Sequence, residues 1–164
     1  MRPAARETRK TPLPNEGSTK QELKQAWGGF LTDLGARAGG WDWWATLTFR
    51  EPPYDAPGWG KIGWTYSGRA WDKLMTELGC RKGLHDIWWV RGREYQTWRG
   101  VPHFHGLIGG VKDLRRDEAW SWWYERYGMA RIEPYDSSKG AGFYLCKYVT
   151  KELGDIEFSR NLTP

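Results

Sequence analysis

The spacing of apolar and polar residues divides the chain into stretches of helical and of strand period. Leu23, Trp27, Phe30, Leu31 and Leu34 recur at helical spacing, which gathers them on one face of an amphipathic helix. Thr19, followed three residues later by Glu22, forms a capping-box pattern at its start, and Gly39-Gly40 ends it. From Trp41 to Arg50 the period changes to two. Trp43, Ala45, Leu47 and Phe49 fall on one face, and Trp44, Thr46, Thr48 and Arg50 on the other, as in a strand with one apolar face. A second alternating run, Asp86 to Tyr95, puts Trp88, Val90, Gly92 and Glu94 on one face and Trp89, Arg91, Arg93 and Tyr95 on the other. A short connection with Gly100 leads to a third, Pro102 to Ile108, punctuated by Gly109-Gly110. Such close neighbours are expected to pair antiparallel.

Helical spacing returns at Ser67 to Leu78, with Ala70, Trp71, Leu74, Met75 and Leu78 as the apolar stripe. It returns again at Leu114 to Tyr127, with Trp120, Trp123 and Tyr124 as the expected inner side and Gly128 as the stop. Ala130 to Pro134 reads as a short strand, and a final helix is expected from Ala141 to about Leu153. The predicted order after the first helix is β-α-β-β-α-β-α. That is the split βαβ arrangement of an α+β fold, ferredoxin- or RRM-like: an antiparallel sheet with helices packed on it, ending in a C-terminal helix. Residues 1–18, with Pro3, Pro12 and Pro14 among charges, read as a flexible basic arm, and residues 19–164 as a single domain. Residues 51–66, rich in Pro and Gly, read as a loop, and 154–164 carry no clear signal.

Composition narrows the function classes. The 164 residues carry a net charge of +5, a modest basic bias that suits a polyanionic partner. Thirteen tryptophans, eight tyrosines and five phenylalanines exceed an ordinary share. Many must be core, and others have π-faces on which bases can stack. Two cysteines without metal-type spacing argue against a disulfide scaffold and suit a reducing compartment. No apolar run spans a bilayer, and the basic N-terminus lacks the apolar segment of a signal peptide, so a cytoplasmic location is expected. No P-loop is encoded.

Two of the three histidines, His103 and His105, flank Phe104 in the third strand and so share a face. Paired imidazoles there are natural ligands for a divalent metal, or else two half-exposed side chains on a sheet. Glu94, nine residues before His103 on the neighbouring strand, can supply a carboxylate beside them. Two imidazoles, a carboxylate and open positions suit Mg²⁺ or Mn²⁺ when phosphate oxygens complete the shell. The final helix holds Tyr144 and Tyr148 four apart, each with a lysine three residues on, Lys147 and Lys151. A nearby ammonium favours phenolate and can hold phosphate. An ordinary amphipathic helix gives the same pattern. His85 reads as a surface residue.

Three motifs now stand in order. They are Ala45-Thr46-Leu47-Thr48-Phe49, Pro102-His103-Phe104-His105-Gly106, and Tyr144-Leu145-Cys146-Lys147-Tyr148-Val149-Thr150-Lys151. Together they resemble the HUH endonuclease superfamily over about residues 41–152. The similarity is to rolling-circle replication initiators, and the doubled Tyr-x-x-Lys resembles the two-tyrosine type of single-stranded-DNA phages and some plasmids. The resemblance implies that His103, His105 and Glu94 bind the metal. It also implies that Tyr144 or Tyr148, with Lys147 and Lys151 beside them, attacks a phosphodiester of single-stranded DNA and stays joined to the 5′-phosphate. A phage, plasmid or other mobile element is the expected source, acting in the host cytosol. A host helicase is a further expected partner. Thr46, Thr48, Arg50, Arg91, Arg93 and Arg99 are candidate DNA contacts, with Arg131 another cation for the backbone, although most such arginines are simply solvated charges. A two-tyrosine transposase or a mobilisation relaxase of the same superfamily fits the motifs as well. The reading from a different class is a non-catalytic RRM-like nucleic-acid-binding module.

Overall fold

The computed structural model describes residues 19–51, 62–83, 86–96, 100–149 and 156–162. It shows α1 (Lys20–Ala38), β1 (Trp43–Thr48), α2 (Trp64–Lys82), β2 (Trp88–Gln96), β3 (Val101–Gly109), α3 (Arg116–Arg126), β4 (Ala130–Pro134), α4 (Ala141–Val149) and β5 (Ile156–Phe158). The expected α+β order is present. The strands form one five-stranded sheet in the order β4-β1-β3-β2-β5, and every neighbouring pair is antiparallel. The first four strands reproduce the split βαβ order. The expected N-terminal arm lies outside the described residues.

Local chemistry accounts for the element ends. The Thr19 hydroxyl accepts from the Glu22 amide while the Glu22 carboxylate accepts from the Thr19 amide, closing the capping box. Gly39, at φ 120°, ends α1 in a left-handed conformation that β-carbon sterics oppose for other residues. α2 starts earlier than the apolar stripe indicates. Gly63 is its N-cap, and the first turn is held by Trp64 edge-on against Tyr95 at 5.0 Å. β5 carries too short an apolar run to signal a strand. Its pairing with β2 and the Glu157 ion pairs described below define it.

The sheet is covered on both faces, which produces two apolar clusters. One face presents Trp43, Ala45, Leu47, Phe49, Phe104 and Ile108 to α2 and α3, which contribute Trp71, Leu74, Leu78, Ala119 and Trp123. The opposite face presents Val90 and Leu107 to Leu31 and Leu34 of α1 and to Ala141, Tyr144 and Leu145 of α4. The alternation read in β1 matches the observed burial: each odd residue from Trp43 to Phe49 is buried and each even one from Trp44 to Thr48 half-buried. α3 differs from expectation. Trp123 is fully buried, but Trp120 and Tyr124 are 39% and 41% exposed. With Trp122 the helix is aromatic on several sides, so periodicity does not select the face that turns inward.

The strand β3 needs a glycine at its centre. A β-carbon on Gly106 would lie 2.3 Å from the rim of the fully buried Trp71 ring, so the indole packs flat on bare backbone behind the histidines. Gly128 allows another close approach. A β-carbon there would come within 2.6 Å of the Thr48 carbonyl oxygen and the Arg50 nitrogen at the end of β1.

Candidate metal and nucleic-acid site

Register brings the candidate residues into two rows across the sheet. Thr48 pairs with His103 and His103 with Glu94, giving the row Thr48–His103–Glu94 over β1, β3 and β2. The next row is Arg131–Thr46–His105–Gly92. Cross-strand partners point to the same face, so all these side chains leave the face that also carries α1 and α4. The far end of that face is buried under those helices, and the histidine end is half-buried.

The two imidazoles lie side by side, with ring centroids 4.3 Å apart. Each is held by a threonine of β1. The Thr48 hydroxyl is hydrogen-bonded to His103 Nδ1 at 2.7 Å, and the Thr46 hydroxyl to His105 Nδ1 at 3.2 Å. When Nδ1–H donates to a threonine oxygen, Nε2 keeps its lone pair and the ring is fixed in orientation. The threonines, candidates for DNA contact, thus act on the histidines directly.

The donor set suits a hard divalent cation in type and placement. Among the described residues, however, no three His, Cys, Asp or Glu side chains converge as they stand into a set that would hold a metal ion. Glu94 lies directly across from His103, and side chains so placed have β-carbons about 5 Å apart. Rotation about the Glu94 side chain is enough to bring its carboxylate to the imidazoles.

The tyrosine helix packs on the same face. Tyr144 is 8% exposed, its ring lies against Trp44 at 5.3 Å and Tyr135 at 5.5 Å, and its hydroxyl accepts from the Asp136 amide at 3.2 Å. Leu145 sits among Val90 and Leu107, next to the His105 row. Before the helix, Asp136 makes a turn whose carboxylate accepts from the Ser138 hydroxyl and amide, which holds it below the ordinary carboxylate range. Lys147 and Tyr148 belong to α4, but their side chains lie outside the described residues. Lys151, Arg99 and His85 lie outside them entirely.

The candidate arginines separate. Arg91 and Arg93 project from the face opposite the histidines, as the alternation of β2 requires. Arg91 is 4% exposed, packed by Trp71, Trp89 and Phe104 and paired with Glu157 at 2.5 Å. Burial pushes its guanidinium below its ordinary value, opposed by Glu157 and Asp72. Arg93 also pairs with Glu157 and lies over the Trp64 ring. Both tie β5 to β2 and α2. Arg50 donates to the carbonyls of Tyr124 and Glu125 at the end of α3, and Arg131 lies over Trp44 on the histidine face. No helix among the described residues is long and apolar enough to cross a membrane.

A five-stranded α+β fold with paired histidines and a tyrosine-bearing helix on one face is the framework that the sequence motifs implied. The family model for the replication-associated protein ORF2 family matches residues 42–153, and the chain belongs to that family. Its role is thus in replication. No curated protein and no solved structure matches the chain.

Proposed function

We propose that the protein is a metal-dependent nicking and joining endonuclease of the HUH type, which initiates rolling-circle replication on single-stranded DNA. The observation that carries this reading is the pair of imidazoles, each with Nδ1 on a β1 threonine, on the same sheet face as the tyrosine helix. A non-catalytic nucleic-acid module gives no reason for that arrangement.

His103, His105 and Glu94 are the residues that would hold Mg²⁺ or Mn²⁺. When bound there, the cation withdraws charge from the non-bridging oxygens of a phosphodiester. The attacking group is a tyrosine hydroxyl. Its oxygen forms a bond to phosphorus, the bond from phosphorus to the 3′ oxygen breaks, and the hydroxyl proton ends on the departing 3′ oxygen. One phosphodiester replaces another, so the 3′-OH can later reverse the step without ATP. Tyr148 is the better nucleophile. Tyr144 has its ring packed and its hydroxyl engaged by Asp136. Tyr148 lies one turn further along α4, and the next strand enters the sheet at Ile156, opposite Gly92 in the His105 row. This supports a course of α4 toward the histidines. Lys147 and Lys151 are suited to hold phosphate or phenolate. A two-tyrosine mechanism further requires Tyr144 to leave its packed position.

The test is a denaturing gel of the protein with labelled single-stranded oligonucleotides. A covalent band that needs Mg²⁺ or Mn²⁺, persists in Tyr144→Phe and disappears in Tyr148→Phe is expected. A band that survives in the double variant rules out both nucleophiles. Binding that is indifferent to chelator, with no band for any sequence in a randomised library, favours the module reading.

A further inference from the structure

We propose that the outer edge of β4 and the exposed side of α3 form a ledge on which unpaired bases of single-stranded DNA stack as the strand approaches the histidine pair. This rests on the nucleic-acid reading above and adds to it a defined binding track.

The two site rows run on to this edge. Arg131 ends the row of His105 and Thr46. The Met129 carbonyl accepts from the Thr48 amide at 2.8 Å, which makes Met129 the neighbour of Thr48 and extends the row of His103. Met129 is 63% exposed. Beside it, Trp120 and Tyr124 stack on each other with centroids 4.8 Å apart and planes 9° apart, each more than a third exposed. The Trp120 indole nitrogen donates to the Ala130 carbonyl at 2.8 Å, fixing the ring along the strand. The Arg50 guanidinium lies 5.3 Å from the Tyr124 ring centre.

A rigid, exposed aromatic pair loses little conformational freedom when a ligand lands on it. Aromatic rings accept any base, and guanidinium groups between them match the phosphates that link the bases. Arg131 also pairs with Glu133, so Arg50 is the stronger candidate of the two cations. A protein strand is a poorer occupant of this edge. Strand addition requires free backbone groups, whereas the Ala130 carbonyl is taken by Trp120 and the Ile132 carbonyl by Arg116. Rings interleaved with cations also differ from the apolar centre of a protein interface.

The test is fluorescence anisotropy of a labelled oligo-dT with the full chain in the presence of chelator, so that no metal or covalent step contributes. Trp120→Ala/Tyr124→Ala is expected to bind about tenfold more weakly, the order expected for lost base stacking. Met129→Glu, which removes no hydrogen-bonding side chain and adds a negative charge, should also weaken binding. It decides the matter if the double variant fails to melt cooperatively. Wild-type affinity in the folded variants overturns the ledge. Equal weakening toward a blunt duplex of the same length overturns stacking as its cause, and equal weakening toward the matching RNA overturns the assignment to DNA. Weaker binding by the variants upholds the ledge even if the wild-type chain forms no covalent product, a result that would count against the tyrosine chemistry alone.

Discussion

Replacing Thr48 by Val removes one hydroxyl and keeps the side-chain shape, so it isolates what the threonine does for His103. The bond to Nδ1 is 2.7 Å long and partly buried. A hydrogen bond of that kind contributes about 0.5–1.5 kcal/mol net. Loss of a partner that orients a ligating imidazole costs about 10- to 100-fold in metal affinity. Because tenfold corresponds to about 1.4 kcal/mol, the two ranges meet near tenfold, the expected loss of Mn²⁺ affinity in Thr48→Val. The Thr46 bond to His105 is longer, at 3.2 Å, so Thr46→Val should lose less, about threefold on the same scale. Isothermal titration calorimetry with Mn²⁺ measures both, with His103→Ala as the variant that removes the ligand itself. Stability should change by no more than about 1 kcal/mol, or about 2–4 °C in melting temperature for a chain of this size. If His103→Ala abolishes binding while Thr48→Val binds as the wild type, the threonine does not orient the ring. A larger loss in Thr46→Val than in Thr48→Val would equally refute the ordering drawn from the distances.

Further outcomes follow from the packing. Gly106→Ala forces a β-carbon into the fully buried Trp71 ring and should cost about 1–3 kcal/mol by overpacking, read from denaturant unfolding. Glu157→Gln leaves the buried Arg91 without its strongest charged partner. A loss of about 2–3 kcal/mol is expected, toward the low end for buried pairs because Glu157 is partly exposed, and an unchanged unfolding midpoint would contradict the clamp. The Asp136 carboxylate has its folded pKa below its unfolded value. Its contribution is therefore present above the ordinary carboxylate range and is lost as the pH falls through the lower, folded value. Asp136→Asn should remove that part of the acid dependence, seen in amide exchange at the start of α4. An unaltered exchange profile between the two proteins would exclude the turn as the source.

Much of the site was legible because strand alternation is a local property. The period of two places His103 and His105 on one face and Thr46 with Thr48 on one face of β1, and the short connection between β2 and β3 makes Glu94 a neighbour of His103. All three relations hold in the structure. The same alternation puts Arg91 and Arg93 on the face opposite Glu94, and weighing it would have separated them from the DNA contacts. Their burial against Trp71, Trp89 and Phe104 and their pairing with Glu157 depend on a strand too short to announce itself. The outward turn of Trp120 and Tyr124 was not legible either, since α3 is aromatic on several sides and only contact with β1 and β4 selects the inner one. By itself the sequence determined the elements, the faces within each strand and the residues able to bind a metal or attack a phosphate. The tertiary structure alone decided that the β1 threonines reach the histidine rings, that Tyr144 is packed away, and which aromatic rings meet solvent. Periodicity reports only where a side chain points within its own element. What it meets there is set by segments distant in the chain, through pairing and packing that no local pattern records.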